Sequence, residues 1–342
     1  MLEKLSINSL RGKKNLLAFS GGVDSSALFF LLLQNGIKFD IAIVDYSLRK
    51  ESKEEVKYAQ ELASTHALKC YLLTAPKIEK NFEAKAREIR YNFFEKIIKE
   101  RTYNNLLTAH HLGDRFEWML MQFCKGAGCA EIAGMQKEQQ RDSYTLVRPL
   151  LHLDKKELRS FLRANKIKYF EDSSNLDEDI KRNSFRHNYT SPLLDKYLQG
   201  IKKSFDYIDE DRESLIKNIE IRNIDEFAYF KSSQNSRADI FAIDKYLKSQ
   251  LHMPTANERE LLKERKTVII GRKFVVNKDR GFIFILPYLK DAFGMPKEFK
   301  EECRVLKIEP KLRPYLYKNG EAFSKIKGLL TDVTHYNEQS PL

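Results

Sequence analysis

The stretch that decides the fold reads Asn15-Leu16-Leu17-Ala18-Phe19-Ser20-Gly21-Gly22-Val23-Asp24-Ser25-Ser26. It opens with a short apolar run, which predicts a buried β-strand. The apolar stretch from Ala27 to Gln34 follows and predicts a buried helix, which Asn35-Gly36 would end. A strand, a glycine-containing turn and a helix in this order predict the first unit of an α/β domain.

The same alternation continues along the first half of the chain. It predicts a doubly wound parallel sheet with helices on both faces, and ligand binding at the carboxyl ends of the strands. The segments that carry this prediction are strands at 39–44, 69–74, 105–109 and 145–148, and helices at 53–66, 82–99 and 115–125.

The alternation stops near Asp195, and this change sets the expected domain organisation. We expect a catalytic domain at 1–195, a charged helical linker at 196–220 and a small α+β accessory domain at 221–342. Phenylalanine, tyrosine and basic residues are interleaved at 272–274 and 311–318. This pattern fits either contact with RNA or an amphipathic segment with one solvated face.

The composition bears on partners and location. The 342 residues include 60 Lys and Arg against 48 Asp and Glu, a net charge of +12. Such an excess fits either a polyanionic partner or a solubilising surface. The sequence has no apolar run of the ~20 residues that a membrane-spanning helix needs. It has four cysteines and no secretory start, so we expect a cytoplasmic protein without a membrane anchor.

Residues 20–26, which we call the phosphate loop, carry the strongest chemical signal. Two glycines let the backbone turn tightly, and the following helix offers free N–H groups and a positive dipole end to phosphates. Carboxylate oxygen is a natural ligand of Mg²⁺, so Asp24 is the expected metal ligand. An ordinary capped turn is the alternative. The predicted phosphate-binding residues are Ser20, Gly21, Gly22, Val23, Asp24, Ser25 and Ser26.

The phosphate loop resembles a known nucleotide-binding loop. It is not a Walker A sequence, because no Gly-Lys-Ser/Thr follows the glycines. It is similar to the pyrophosphate-binding loop of the N-type ATP pyrophosphatases, which holds the β and γ phosphates of ATP while the substrate attacks the α phosphate. The resemblance implies an adenine nucleotide α-hydrolase-like fold and ATP as an AMP donor.

Further segments narrow the resemblance. They are Val44–Arg49, Asn81–Phe94, Thr108–Glu117, Lys125–Gly128 with Ala133–Met135, Arg148–Leu151, and Asp172–Asn175 with Arg182, Asn183 and Arg186. They resemble, in the same order along the chain, motifs of the tRNA(Ile)-lysidine synthetases. The chain departs from that pattern at Tyr46, Ser47, Gly113, Trp118 and Lys125, where the family has His, Gly, Asp, Thr and Arg.

This resemblance implies a two-step ligation. ATP adenylates the C2 oxygen of the wobble cytidine in the CAU anticodon of tRNA(Ile). The ε-amine of free L-lysine then displaces AMP to give lysidine, which changes codon reading from AUG to AUA. The implied partners are therefore this tRNA, L-lysine, ATP and Mg²⁺, and we leave a homodimeric assembly open.

The resemblance and the residue chemistry together assign roles. Asp24, Arg90 and His110 are the expected catalytic residues, with the Arg90 guanidinium suited to phosphate or developing negative charge. Asp114 and Glu117 lie three residues apart on one predicted helix face and are expected to bind the substrate lysine. The expected phosphate or tRNA contacts are Arg182 and Arg186.

Some choices stay open at this stage. Either His110 or His111 could accept the proton of the attacking amine, and hydrogen-bonded packing is the alternative role. A tRNA thiolase uses the same adenylation, but it needs a sulfur carrier, and Cys124 and Cys129 are the only closely spaced cysteines. A basic RNA-binding protein with a regulatory nucleotide loop is the alternative that is not an enzyme.

Overall fold

The computed structural model describes residues 1–47, 51–171, 181–216, 219–290 and 294–337. These residues form two compact units, Met1–Asp211 and Arg212–Leu342. Two of the sequence motifs, the end of Val44–Arg49 and all of Asp172–Asn175, lie outside the described residues.

The first unit is built on a six-stranded sheet of order β3-β2-β1-β4-β6-β5. All neighbouring strands are parallel except β5 and β6, which are antiparallel. The strands are β1 (Asn15–Ala18), β2 (Phe39–Asp45), β3 (Cys70–Thr74), β4 (Asn105–Leu107), β5 (Glu138–Gln140) and β6 (Thr145–Val147).

Helices surround this sheet. The helices that begin in this unit are α1 (Lys4–Leu10), α2 (Val23–Gln34), α3 (Glu51–Thr65), α4 (Phe82–Arg101), α5 (Leu112–Phe123), α6 (Cys129–Ile132), α7 (Lys155–Ala164), α8 (Lys181–Phe185) and α9 (Ser191–Ile216). A π-helical turn, Arg186–Thr190, joins α8 to α9. Of the helix expected at 196–220, residues 196–216 belong to α9, whose backbone departs from helical geometry at Tyr197.

Successive residues of β1 pack into the core on opposite faces of the sheet. Leu17 packs with Phe29 of α2 on one face of the sheet, and Leu16 packs with Phe94 and Ile98 of α4 on the other. Side chains of a strand alternate between faces, so a strand buried on both sides must be apolar at successive positions. The predicted parallel α/β fold is confirmed.

Several details differ from the sequence expectations, which did not include helices α1, α6, α7 and α8. Helix α2 begins at Val23, four residues before the predicted start, so the second half of the phosphate loop is its first turn. The edge strand β5 was not predicted, because Glu138-Gln139-Gln140 has no apolar pattern to indicate a strand.

The second unit is a five-stranded antiparallel sheet of order β7-β8-β11-β10-β9. Alternate residues of β8 divide between two cores: Phe227 packs with residues of α13 and α14, and Phe230 packs with residues of α10 and α11. The elements are β7 (Arg222–Ile224), β8 (Phe227–Lys231), α10 (Ser236–Ser249), α11 (Ala256–Glu264), β9 (Thr267–Ile270), β10 (Phe274–Asp279), β11 (Phe282–Pro287), α12 (Lys297–Val305), α13 (Arg313–Lys318) and α14 (Gly320–Asn337).

The topology of the first sheet positions the site. Strand β1 lies between β2 and β4, so the order of the strands reverses there. The phosphate loop follows β1, and the segment from Thr108 to His111 follows β4 at the same edge. Ligands of open α/β sheets bind in the crevice at such a reversal. In the described part of the chain, no helix is both long and apolar enough to cross a bilayer.

Candidate active site

Gly21 sets the shape of the phosphate loop. Its φ is +75°, in the left-handed region that glycine adopts without strain. A Cβ there would lie 3.2 Å from the Phe170 ring, and the Phe170 amide donates a hydrogen bond to the Gly21 carbonyl oxygen at 3.0 Å. The loop is therefore held against the 170 segment at a position that only glycine fits.

The loop serines divide into one exposed and two buried residues. The Ser26 Oγ donates to the Gly21 carbonyl oxygen at 3.1 Å, and the Ser25 Oγ donates to the Gly22 carbonyl oxygen at 3.2 Å. These two hydroxyls hold the loop, and Val23 beside them is buried in the core. Ser20 is exposed, so its hydroxyl and the amides at the start of α2 are the groups that can meet a phosphate.

Asp24 lies at the centre of the crevice with one satisfied and one unsatisfied oxygen. Its Oδ2 is 3.4 Å from the Lys155 Nζ, whereas its Oδ1 is buried and has no hydrogen-bond partner among the described residues. A buried acceptor without a partner is costly, and a bound cation would satisfy it. Lys155 was not predicted from the sequence; the start of a helix just after Arg148–Leu151 was the available signal.

His111 connects Asp24 to the acidic pair. The Gly113 amide donates to His111 Nδ1 at 3.0 Å, which leaves the ring proton on Nε2. This Nε2 lies 3.9 Å from Asp24 Oδ2 and 3.7 Å from Asp114 Oδ2. His111 is buried and also caps α5, so it lies between two carboxylates in a fixed orientation.

Asp114 and Glu117 are ion-paired with the two arginines that the sequence analysis assigned to phosphate. Arg182 reaches Asp114 Oδ1 from Nη2 at 2.6 Å and Glu117 Oε2 from Nε at 2.9 Å. Arg186 reaches Glu117 Oε1 from Nε at 2.5 Å. Two predicted binding groups thus form one buried network with balanced charges.

The electrostatic state of Asp114 follows from this network. Burial opposes its ionisation, but His111 and Arg182 outweigh burial and hold the pKa of Asp114 well below its ordinary value. Its Oδ2 also accepts the backbone amide of His111 at 3.1 Å, in a capping box at the start of α5. Asp114 is therefore ionised at neutral pH and has both a structural and an electrostatic role.

His110 lies beside the network in a different state. Its Nδ1 is 3.0 Å from the Thr108 Oγ1. Burial lowers the pKa of His110 to about 4; Asp114 opposes this effect and Arg148 reinforces it. His110 is neutral at neutral pH and accepts a proton only weakly.

Arg90 lies beside Tyr46. Arg90 is exposed on α4. Burial raises the pKa of Tyr46 above its ordinary value, and Arg90 lowers this pKa by a smaller amount. The Tyr46 hydroxyl donates to the Ala86 carbonyl oxygen at 2.8 Å. Tyr46 follows β2, and β2 lies two strands from β4, which the His110 segment follows, so the interaction with Tyr46 places Arg90 on the β2 side of the site.

Sequence comparison places these residues in a family context. The PP-loop domain family matches residues 2–193. The chain is 43% identical over 315 residues to the tRNA(Ile)-lysidine synthase of Helicobacter pylori, covering 92% of each chain. It is 44% identical to that of Campylobacter jejuni, covering 90% of this chain and 94% of the relative, and 42% identical to that of Wolinella succinogenes, covering 91% and 95%.

Structural comparison agrees on the fold. The U34-tRNA thiolase NcsA from Methanococcus maripaludis, solved with its 4Fe–4S cluster, superposes with a TM-score of 0.51 at 16% identity. The match covers 64% of this chain and 78% of that chain. At this identity the likeness supports a shared architecture and nothing about substrates.

Proposed function

The chain belongs to the tRNA(Ile)-lysidine synthase family of PP-loop enzymes, and from this premise we propose how its site ligates lysine to the wobble cytidine of the CAU anticodon. The observation that carries the function is identity above 40% across nine-tenths of both chains, with an intact phosphate loop. ATP adenylates the cytidine and releases pyrophosphate; lysine then displaces AMP and leaves lysidine.

Binding of the ATP phosphates falls to the start of α2. The amides of a first helical turn lack intrahelical acceptors, and the helix dipole favours negative charge there. We assign the β and γ phosphates to these amides and to Ser20. Lys155 Nζ, 3.4 Å from Asp24, would add a positive charge beside them.

Asp24 fits a divalent cation. In the part of the chain that the structure describes, its Oδ1 is a buried acceptor without a partner, beside a loop suited to phosphates. No group of three or more candidate metal-ligating side chains occurs in the described ranges, so phosphate and water oxygens would complete the Mg²⁺ shell. When bound, Mg²⁺ neutralises phosphate charge.

We assign the recognition of lysine to Asp114 and Glu117, where an ammonium group of lysine would replace an arginine as the partner of the carboxylates. Both carboxylates are buried, whereas the Arg182 side chain is 35% exposed and can swing outward. A buried carboxylate that loses an arginine needs another cation, and an ammonium group of lysine supplies one. The displaced Arg182 then becomes available to a phosphate of ATP or tRNA, the role expected for Arg182 and Arg186.

The histidines are assigned positioning roles. An ammonium with a pKa near 10.4 cannot usefully pass its proton to His110, whose pKa is about 4. His111 Nδ1 is occupied by the Gly113 amide. We assign His110 to hydrogen bonding with the reacting groups and His111 to holding Asp24 and Asp114 in place. Arg90 would contact the substrate from the β2 side of the site.

The remaining assignments concern the rest of the chain and its partners. We place the ligation chemistry in 1–195, and tRNA contact beyond the anticodon in 221–342. In that second part Tyr315 and Leu316 are buried, and Tyr317 is 41% exposed with its ring 5.2 Å from that of Phe299. Free L-lysine as the amine, a homodimer and a cytoplasmic location stay predictions.

One assay tests the function. Protein, ATP, Mg²⁺, L-lysine and tRNA(Ile) bearing CAU are mixed, AMP release is measured, and the tRNA nucleosides are analysed. We expect AMP and lysidine only when both lysine and this tRNA are present, and loss of both products with Asp24→Asn. Binding of tRNA without pyrophosphate release would instead identify an RNA-binding protein.

A tRNA thiolase has less support. The thiolase likeness rests on fold alone, and the described ranges hold no group of three cysteine, histidine or acidic side chains for a cluster. Thionucleoside formation when sulfide replaces lysine in the assay would favour the thiolase.

A further inference from the structure

Trp118, the single tryptophan of the chain, lies on α5 in an unusual setting. Its side chain is 43% exposed, although tryptophan is among the residues that bury most of their surface. It lies one helical turn after Asp114, so the two side chains share a face of α5. Trp118 is therefore an exposed aromatic one helical turn from Asp114.

The ring lies on a close-fitting surface. Gly134 has a φ of +59°, and a Cβ there would lie 2.5 Å from Trp118 Cδ1. The ring thus occupies the space that a side chain at residue 134 would need. Only glycine at this position lets the indole lie directly against the backbone.

That surface is itself fixed. The buried Arg115 donates to the Ala133 carbonyl oxygen from Nη2 at 3.1 Å and to Asp209 Oδ2 from Nη1 at 3.0 Å. Its guanidinium also lies 4.2 Å from the centre of the Phe205 ring. Helix α5, the 133–134 segment and α9 are held together at this point, so the orientation of Trp118 is set before any ligand arrives.

We propose that Trp118 is a stacking platform for a nucleobase of the RNA substrate, next to the cytidine that reacts. This rests on the proposed function, because an enzyme that modifies an anticodon base must bind unstacked bases. Indole offers the largest aromatic surface, and a pre-oriented ring loses little entropy on stacking. RNA is favoured over the adenine of ATP because Trp118 shares a face of α5 with Asp114, which we assign to the lysine that attacks the cytidine.

The single tryptophan makes the test direct. Fluorescence of the full-length protein is followed during titration with a CAU anticodon stem–loop RNA, with ATP alone and with lysine alone. Saturable quenching is expected with the RNA and not with ATP or lysine. Quenching by ATP alone would assign the platform to adenine, and no quenching by RNA that binds in a filter assay would overturn the proposal.

Variants separate binding from folding. Trp118→Ala should raise the KM for tRNA about tenfold, the loss expected for one stacked base, with the KM for ATP unchanged. Trp118→Phe should recover most of the loss. Phe123→Ala is the matched control, since Phe123 is 65% exposed on the same helix but lies on another face, and it should leave both KM values unchanged.

The result also separates this inference from the proposed function. If the wild-type protein makes lysidine while Trp118→Ala keeps its KM for tRNA, the platform is wrong and the function stands. If the wild-type protein makes no lysidine, the function fails, and the fluorescence titration still reports whether RNA covers Trp118.

Discussion

The backbone amide of Gly113 donates a hydrogen bond to His111 Nδ1 across 3.0 Å, and this pairing sets the centre of the site. A Cβ at residue 113 would lie 2.7 Å from His111 Cε1 and 3.0 Å from its Nδ1. His111 in this orientation faces both Asp24 and Asp114. Glycine at 113, where the family has aspartate, therefore leaves the space that the His111 ring needs in this orientation.

Gly113→Ala should destabilise the protein, although alanine favours helices over glycine. The new methyl group must displace the buried His111 ring, and such overpacking costs about 1–3 kcal/mol. Gly200→Ala is the control: Gly200 lies within α9 with nothing near its Cβ direction, so alanine should stabilise by up to about 1 kcal/mol. Urea unfolding measures both. Equal stabilisation by the two substitutions would show that His111 is free to move.

Lys155→Met should raise the KM for ATP at least tenfold with little change in the KM for lysine. The substitution removes the cation 3.4 Å from Asp24 and keeps most of the side-chain volume. Lys156→Met provides a neighbouring control, because Lys156 is exposed and pairs with Asp195. Steady-state kinetics with each substrate varied gives the comparison. If both lysine variants bind ATP as the wild type does, Lys155 has no part in phosphate binding.

Local signals in the sequence were sufficient for the parallel strands of the first unit and for the phosphate loop. The apolar positions of β1 and the glycines after it predict a buried strand and a tight turn without any knowledge of distant residues. The polar edge strand β5 gave no such signal, because its pairing with β6 and not its composition makes it a strand.

Local sequence patterns could not predict which side chains pair across the site. Lys155 meets Asp24 across 131 residues, and Arg182 meets Glu117 across 65. From the sequence, the acidic pair and the two arginines were predicted as separate binding groups. Residue spacing shows which side chains share one face of a helix, but it does not show which other segment packs against that face. The fold decides that these groups neutralise one another.

Arg186→Met should lower the free energy of unfolding by about 3 kcal/mol, because it leaves Glu117 buried with one partner fewer. The double variant Glu117→Gln with Arg186→Met should recover part of this loss, since the uncompensated charge is then removed. Urea unfolding of the two single variants and the double variant completes the cycle. Additive losses would mean that the pair contributes no coupling energy.

Asp114→Asn should raise the KM for lysine more than tenfold, because the amide cannot replace the charge offered to an ammonium group. Asp195→Asn is the control, as Asp195 is an exposed acid of the same unit. The KM for ATP reports on damage to the rest of the site. A raised KM for ATP with an unchanged KM for lysine would assign Asp114 to the nucleotide instead.

His110 should make the protein less stable as the pH falls from 7 to 4. Burial lowers its pKa to about 4 in the folded chain, whereas an unfolded histidine titrates near 6.5. Between these values the unfolded chain binds a proton that the folded chain does not, so acid favours unfolding, and the effect levels off below the folded pKa. For this single group the loss between pH 7 and pH 5 is about 2 kcal/mol.

Protonation of carboxylates also makes the protein less stable in acid. Replacing His110 removes only the contribution of this histidine, so a comparison with the wild-type protein isolates it. His110→Gln keeps a hydrogen-bonding side chain beside Thr108 and should flatten the dependence of unfolding free energy on pH between 7 and 5 by about 2 kcal/mol. His66→Gln, at an exposed position of the same unit, controls for the loss of any histidine. Parallel curves for His110→Gln and the wild-type protein would mean that His110 is charged in the folded state, and its role as a neutral positioning group would then fail.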